Sequence, residues 1–248
     1  SVCSLTQGTN VIPGTWSLSG QTLQFIPASA PADGAYSISV RPVDVMGNTG
    51  AVISSTFTID RLAPAAPGVY PVSTPTVMAH QQVSGLKEAY ASIWLNGATQ
   101  LVANSAATTW SADVPLVLGQ NVLSFTSRDR AGNTSPATTV SILYDNQAPG
   151  MVTLMADGAR DGTSVKLDWP AYNEVANGDD IAQYRLYQGA ASFNNALLAT
   201  QIGSTTSGVK TFTVNGLTRG STYHFAVVAV DRANQYRPDV VSIEVTTE

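Results

Sequence analysis

The chain has 248 residues, of which 44% are hydrophobic and only 12% are charged, and its formal net charge at pH 7 is -5. Nucleic acids and anionic membranes attract clustered Lys and Arg, and this chain has only three lysines, so the composition excludes nucleic acid as a partner. No stretch approaches the roughly 18 apolar residues of a transmembrane helix, and we expect no membrane insertion. The abundance of Thr, Ser, Val, Ala and Gly favours half-buried strands joined by turns.

A seven-residue segment occurs three times along the chain and predicts its architecture. Each copy follows a run of alternating apolar residues and precedes a second such run, which is typical of the turn of a β-hairpin that closes a β-sandwich. The copies begin 85 and then 102 positions apart, which fits units of about 100 residues. The segments are 44–50 (DVMGNTG), 129–135 (DRAGNTS) and, more loosely, 231–237 (DRANQYR).

The strands that flank these turns follow a period of two, so one set of side chains is expected to face a core. The expected core-facing residues before the turns are Tyr36, Ile38, Val40 and Pro42, then Asn121, Leu123, Phe125 and Ser127, then Tyr223, Phe225, Val227 and Ala229. The partner strands after the turns are predicted at 55–59, 140–144 and 241–245.

The residues within each turn have a backbone explanation. The Gly-Asn pairs at 47–48 and 132–133 fit positions of positive φ, where Gly is not penalised and Asn is the best-tolerated alternative. In the third copy, Asn234 is expected to take the left-handed conformation. The leading Asp of each copy is expected to accept a hydrogen bond from the backbone two residues further on.

A structural calcium site is the alternative interpretation of these turn aspartates. Calcium needs six to eight oxygens, and each turn offers one carboxylate, so Asp60 or Asp145 would have to supply further ligands. The acidic segment at 157–162 lacks the third acidic ligand and the terminal Glu of an EF-hand loop, and it is expected to be a polar hairpin loop. No cofactor is therefore expected, and structural calcium stays open.

Proline-rich segments at 60–67 and 145–149 mark two domain boundaries, because proline fixes φ and removes a donor from the sheet ladder. With so little free linker, we expect a semi-rigid array. The first domain has too few residues for a seven-stranded sandwich, so it is expected to be partial or reduced. The predicted domains are 1–61, 62–146 and 147–248.

The third domain resembles a fibronectin type III domain over nearly its whole length. Residues 165–169 (VKLDW) look like the second strand of that family with its core Trp, and residues 180–187 (DIAQYRLY) look like its third strand. Residues 217–225 (LTRGSTYHF) look like its tyrosine corner. The resemblance implies that the hydroxyl of Tyr223 bonds to the backbone upstream and that Tyr223 is a folding residue.

The first two domains resemble bacterial immunoglobulin-like domains. Residues 64–145 do so with 118–122 (LGQNV) leading into the second turn, and residues 1–61 look like the C-terminal part of another such domain. The expected fold class is therefore all-β, with tandem antiparallel β-sandwiches in three units. Similar arrays occur in large bacterial adhesins, polysaccharide hydrolases and toxin-delivery proteins, where the modules usually act as spacers or contact surfaces. Such a resemblance carries fold better than function.

Few residues suggest catalysis. His80 and His224 have no metal-ligand companion at i+2 or i+4, and His224 is expected to point outward because it lies one step off the core-facing set. Cys3 is the only cysteine, which excludes an intrachain disulfide. Asp179 and Asp180 are adjacent, so they cannot readily face one glycosidic bond together, and a loop is expected there.

Tryptophan could indicate carbohydrate binding, since an exposed aromatic surface stacks on sugar rings. Trp16, Trp94 and Trp169 lie in strand-like sequence and are expected in sandwich cores. Trp110, which lies between Thr and Ser, is also expected in a core, but it is the best candidate for an exposed binding residue.

The sequence therefore predicts that the chain is not an enzyme, and no catalytic, cofactor-binding or metal-binding residue is assigned. We expect a structural spacer or interaction array of a larger extracellular or cell-surface bacterial protein, whose partners are the flanking domains of that protein. Two alternatives stay open. One is an adhesion module that binds a glycan or a protein, and the other is an accessory region of a secreted hydrolase or toxin-delivery protein.

Overall fold

A computed structural model describes residues 2–160 and 162–248 of the chain. Strands account for 51% of the residues and helix for 2%, so the predicted all-β class of tandem antiparallel sandwiches is confirmed. Within the described residues, no helix is long and apolar enough to cross a membrane. The strands are β1 Val2–Gln7, β2 Asn10–Val11, β3 Gly14–Ser19, β4 Thr22–Pro27, β5 Gly34–Arg41, β6 Ile53–Ile59, β7 His80–Leu86, β8 Ser92–Leu95, β9 Thr99–Val102, β10 Thr109–Pro115, β11 Gly119–Arg128, β12 Thr138–Tyr144, β13 Met155–Arg160, β14 Ser164–Asp168, β15 Ile181–Gly189, β16 Thr200–Thr206, β17 Thr211–Asn215, β18 Thr222–Asp231 and β19 Ile243–Thr246.

Two compact units can be distinguished, and each combines segments that are separate in sequence. The first unit contains the residues up to Tyr70 together with Gln82–Ala112 and Leu123–Val140. The second unit contains Pro71–Gln81, Asp113–Val122 and Ser141–Glu248.

Strands β1 to β6 form a four-stranded sheet in the order β2-β1-β5-β6 and a separate hairpin of β3 and β4. The pairing of Val40 with Ile53 continues along β5 and β6, which confirms the hairpin predicted around the first turn. Tyr36 is buried in this sheet, and its hydroxyl donates to the carbonyl of Ala32 at 2.7 Å. This bond is the same kind of local tie that the sequence predicted for Tyr223.

Strands β7 to β12 form a four-stranded sheet in the order β12-β11-β8-β9 and a two-stranded sheet of β10 and β7. The hairpin of β11 and β12 confirms the prediction for the second turn. The four core-facing residues predicted in β11 are all buried, with Phe125 at 0% exposure. The ring of Trp110 lies 5.3 Å from that of Phe125, so both rings belong to one apolar core.

Strands β13 to β19 form a three-stranded sheet in the order β13-β14-β17 and a four-stranded sheet in the order β16-β15-β18-β19. Phe225, Val227 and Ala229 are buried as predicted, and they share a core with Trp169 at 0% exposure. The N–H of Thr218 donates to the hydroxyl oxygen of Tyr223 at 3.0 Å, so the predicted tyrosine corner is present.

The opposite face of β18 is also buried, which the period of two did not indicate. Ala226, Val228 and Val230 form a second apolar cluster with residues that include Phe193. His224 lies on this same face and is 8% exposed, so the prediction that it points outward is wrong. The physical reason is that β18 is a central strand covered on both faces, and such a strand has no solvent side.

The loop predicted at 157–162 is shorter than expected. The backbone of β13 continues to Arg160, where it pairs with Val165 of β14. Asp161, which was predicted to lie in this loop, falls outside the described residues.

Candidate functional site

The three turns share one geometry, which is set by their leading aspartates. One carboxylate oxygen accepts the backbone N–H of the residue four positions on, at 2.8 Å in the Asp44 turn, 2.9 Å in the Asp129 turn and 2.7 Å in the Asp231 turn. In the Asp44 turn this oxygen also accepts the N–H two residues on, at 2.9 Å. The hydrogen bond that the sequence predicted from the residue two positions on is therefore confirmed for Asp44. Positive φ occurs as expected at Gly47 (90°), Gly132 (93°) and Asn234 (63°).

The residue four positions after each aspartate has a role that the sequence analysis missed. Its side-chain amide donates to the second carboxylate oxygen of the leading aspartate. The distances are 2.7 Å for Asn48 to Asp44, 2.9 Å for Asn133 to Asp129 and 3.1 Å for Gln235 to Asp231. Neither Asn48 nor Asn133 is among the described residues with positive φ, so the asparagine is required here for its amide and not for its backbone.

In the second and third copies the same amide also holds the preceding proline-rich segment. Asn133 donates to the carbonyl oxygen of Asp60 at 3.0 Å, and Gln235 donates to the carbonyl oxygen of Asp145 at 3.0 Å. We call this bond between a turn amide and a junction carbonyl the joint. Each joint lies inside one compact unit, the first joint in the first unit and the second joint in the second.

The two junction segments that enter the joints also match each other. Both have the sequence Asp-X-X-Ala-Pro, at 60–64 and 145–149. The carboxylate of Asp60 accepts the N–H of Leu62 at 3.0 Å, and that of Asp145 accepts the N–H of Gln147 at 3.0 Å. The hydrogen bond between the Asp side chain and the N–H two residues on restrains the backbone between them. The direction of the Asp carbonyl is therefore fixed. The aspartate therefore presents its carbonyl to the turn amide.

Three carboxylates meet beside the second joint. Asp145, Asp180 and Asp231 each place a carboxylate oxygen within 4.8 Å of the others, and Asp231 is 1% exposed. Burial, a hydrogen bond with Asp145 and repulsion from Asp145 and Asp231 raise the pKa of Asp180 to about 6. Burial likewise raises the pKa of Asp231. We call these three residues the acidic trio.

The acidic trio is the place in the described residues where three metal-binding side chains meet. Carboxylate oxygens are the ligands that calcium prefers, and the trio would supply three of the six to eight oxygens that calcium takes. An open cleft of about 710 Å³ adjoins it and includes Asp145, Asp180 and Arg237 in its lining. Asp145 thus lies beside the turn aspartate Asp231, as the calcium hypothesis required. Asp60 belongs to no group of three metal-binding side chains among the described residues.

The turn aspartates of the first two copies behave differently from Asp231. The side-chain hydrogen bond from Asn48 holds the pKa of Asp44 below its usual value. At Asp129, burial acts to raise the pKa, but the hydrogen bonds from Asn133 and the turn backbone outweigh it, so the pKa is lowered. Asp44 and Asp129 are therefore held as carboxylates by their own turns. Of the three turn aspartates, Asp231 is the one that belongs to a group of three carboxylates in the described part of the chain.

The remaining candidate residues form no catalytic arrangement within the described part of the chain. Nδ1 of His80 lies 2.9 Å from a carboxylate oxygen of Asp113, and both side chains are well exposed. Nε2 of the buried His224 lies 3.8 Å from a carboxylate oxygen of Glu244. Cys3 is half-buried and has no disulfide partner. None of these pairs places a nucleophile against a positioned base.

Two tryptophans are core residues and two are not. Trp110 is 4% exposed and its indole N–H donates to the carbonyl oxygen of Gly68 at 3.1 Å, so it is not the exposed binding residue that the sequence allowed. Trp169 is fully buried as predicted. Trp16 and Trp94 are only half-buried, contrary to the core role predicted for them.

Trp94 belongs to an aromatic and cationic surface. The guanidinium of Arg128 lies 4.2 Å from the centre of the Trp94 ring, and that of Arg130 lies 4.1 Å from the centre of the Tyr90 ring. Tyr90 is 46% exposed. These two cation–π pairs lie in the first unit and present aromatic rings beside cations, and we call them the aromatic–arginine surface.

No family model matches this chain. It is 27% identical over 246 residues to Exoglucanase B of Cellulomonas fimi, an alignment that covers 92% of this chain but 21% of that protein. It is also 29% identical over 129 residues to Exoglucanase A of the same organism, covering 49% of this chain and 14% of that one. The chain thus spans about a fifth or less of the length of these relatives.

Two solved structures of consecutive domains align with nearly the whole of this chain. Domains A168–A170 of titin align over 99% of this chain and 88% of theirs, with a TM-score of 0.50 and 13% identity. The FN1–FN3 domains of chicken CNTN1 align over 99% and 91%, with a TM-score of 0.40 and 12% identity. At such identities the likeness to titin concerns the fold alone, and it agrees with tandem sandwiches of the immunoglobulin and fibronectin type III kind.

Proposed function

We propose that the chain is a non-catalytic structural spacer of a larger extracellular or cell-surface bacterial protein. The observation that carries the proposal is that almost the whole chain aligns with only a fifth of an exoglucanase. A region that matches only a fifth of an enzyme's length is expected to lie beside the catalytic domain and not to contain that domain. The predicted domains 1–61, 62–146 and 147–248 are the units of the proposed spacer, and its partners are the domains that flank it.

The chemistry of the described residues supports a non-catalytic role. Glycoside hydrolysis needs two carboxyl groups on opposite sides of a sugar, about 5 Å or more apart, in a groove that accepts the chain. In the acidic trio, Asp231 is 1% exposed and Gln235 occupies one of its oxygens, so this carboxylate does not face a groove that could accept a sugar chain. The hydrogen bond between Asp145 and Asp180 suits a shared proton better than a pair of catalytic acids.

A second candidate function is an adhesion module that binds a glycan or a protein. The observation that favours it is the aromatic–arginine surface, since Trp94 and Tyr90 present ring faces beside cations. Against it, both ring faces are already covered by guanidinium groups, so a sugar would have to displace Arg128 and Arg130. We therefore place the spacer first.

Depletion and hydrolysis assays on microcrystalline cellulose separate these functions. The chain is incubated with cellulose, and unbound protein and released reducing sugar are measured beside a Trp94→Ala variant. A spacer leaves all protein in solution and releases no sugar. Retention that Trp94→Ala abolishes would establish the adhesion module instead, and sugar release would overturn the non-catalytic proposal.

The proposal includes no resident cofactor, and the acidic trio is where a structural calcium ion would have to bind. Isothermal titration of the chain with calcium chloride at pH 7.5, beside an Asp180→Asn variant, tests this. We expect no saturable heat from either protein. Saturable heat that Asp180→Asn removes would assign calcium to the trio.

A further inference from the structure

The first turn has the same parts as the other two but no joint. Asn48 donates to Asp44 at 2.7 Å, as Asn133 does to Asp129 at 2.9 Å. An amide nitrogen carries two hydrogens, and Asn133 uses its second one on the Asp60 carbonyl. Among the described residues, Asn48 has no corresponding junction carbonyl. The first turn therefore has the same amide donor as the second turn, but the described residues offer it no junction carbonyl as acceptor.

The core beside the first turn is also open, which is an independent observation. In the second and third copies, the residues four and six positions before the turn aspartate are at most 5% exposed. In the first copy, the corresponding residues are only half-buried. The residues compared are Phe125 and Leu123, Val227 and Phe225, and, in the first copy, Val40 and Ile38.

In the second copy, Phe125 packs against Trp110 of β10, the strand before β11. Strand β7 pairs with β10, and its Val83 is fully buried. The chain just after the Asp-X-X-Ala-Pro segment then pairs along β7, with the N–H of Gly68 donating to the carbonyl of Leu86 at 2.9 Å. One continuous segment thus supplies the joint carbonyl, an edge pairing and a core strand.

The first copy lacks the equivalent of that segment among the described residues. Strand β4, which precedes β5, pairs with β3 alone. Two apolar residues that pair across this hairpin are exposed on one face, with Leu18 at 71% and Leu23 at 36%. Exposed apolar residues on a sheet with an open edge are typical of a surface that takes another strand.

We propose that the surface formed by Asn48, the open edge of β4 and the half-buried face of β5 binds a β-strand segment of the kind found at 60–93. Such a segment has an Asp-X-X-Ala-Pro junction whose Asp carbonyl accepts from Asn48, followed by a strand with an apolar residue at the place of Val83. The inference deepens the proposed function, on which it rests, because it names the chemistry of the flanking partner. The partner segment adds a strand to the open edge of β4. In such pairing, main-chain hydrogen bonds give affinity and side-chain pockets give specificity.

The strand registers place the partner segment. Val2 pairs with Arg41, three residues before Asp44, and Trp94 pairs with Thr126, three residues before Asp129. Val2 therefore occupies the position of Trp94, and a copy of residues 60–93 that replaces Ser1 and joins directly to Val2 enters the first sheet in register. The test protein is the full chain with this copy added.

Hydrogen–deuterium exchange of β5 is the readout, with β15 as the internal reference. In the grafted chain we expect exchange in β5 to slow by about tenfold relative to the original chain, while β15 is unchanged. Asn48→Ala in the grafted chain removes part of this protection. Replacing the grafted copy of Val83 by Asp removes most of it, because a charge then faces the core.

A synthetic peptide of residues 60–93 added to the original chain provides a second arm that does not depend on folding of the graft. Protection of β5 by the peptide supports the proposal, and so does protection in the grafted chain. Exchange in β5 that stays as fast in both arms as in the original chain overturns it. Retention on cellulose would overturn the spacer function and leave this result standing, so the two failures are distinguishable.

Discussion

The acidic trio makes stability depend on pH in a direction that one substitution can isolate. The pKa of Asp180 is raised from its usual 3.8 to about 6. A carboxyl whose pKa is higher in the folded chain favours folding when it is protonated. The stability that it contributes is therefore fully present below about pH 4 and is lost as the pH rises towards and through 6.

The magnitude follows from the size of this change. A pKa that rises from 3.8 to about 6 corresponds to about 3 kcal/mol if the interaction is fully felt. Asp180 is only half-buried and borders an open cleft, so solvent screening reduces this to roughly 1 kcal/mol. An Asp180→Asn variant keeps a hydrogen-bond donor for Asp145 and carries no charge. It should be more stable than the original chain by roughly 1 kcal/mol at pH 7.5 and about equal near pH 4.

Urea unfolding of both proteins between pH 4 and pH 7.5, followed by tryptophan fluorescence, gives this difference directly. The buried Trp169 lies in the same sandwich and reports its unfolding. Asp239→Asn is the matched control, since Asp239 is an exposed acid of the same sandwich and should leave the pH dependence unchanged. A variant that is less stable than the original at pH 7.5, or a difference that does not grow with pH, would refute the proposed repulsion within the trio.

Two further predictions concern the turns and the tyrosine corner. Asn133→Ala loses both the turn bond and the joint, whereas Asn48→Ala loses the turn bond alone, so urea unfolding should show about 1 kcal/mol more destabilisation for Asn133→Ala. Equal effects would mean that the joint adds nothing to stability. Tyr223→Phe removes the acceptor for the Thr218 N–H and should lower the unfolding free energy of the second unit by about 1 kcal/mol. Tyr70→Phe, at a half-exposed site, is the control, and an equal loss there would contradict a specific role for the corner.

Much of the fold could be predicted from the sequence because short-range patterns specify it. The Asp-led turns require glycine or asparagine at one position of positive φ, and the alternating strands before them show which side faces a core. These patterns indicated all three hairpins and the burial of Phe125. They did not indicate the burial of His224, because burial of both faces of β18 depends on residues such as Phe193 that are distant in sequence.

The candidate sites were less predictable, since they depend on which turn meets which junction. Asn133 and Gln235 were seen as turn residues, but their bonds to the Asp60 and Asp145 carbonyls span 73 and 90 positions. The repeated Asp-X-X-Ala-Pro sequence was the available signal for the joint. Asp180 was correctly placed in a loop, and nothing local in its sequence indicates that Asp145 and Asp231 lie beside it.

The spacer proposal is tested most directly by energy transfer between donor and acceptor fluorescent proteins fused to the two ends of the chain. The measurement is made with calcium and then with chelator. The spacer proposal predicts the same low transfer in both solutions, because the joints are bonds between an amide and a carbonyl that need no metal. Efficient transfer in the original chain, or transfer that rises on chelation, would contradict the account.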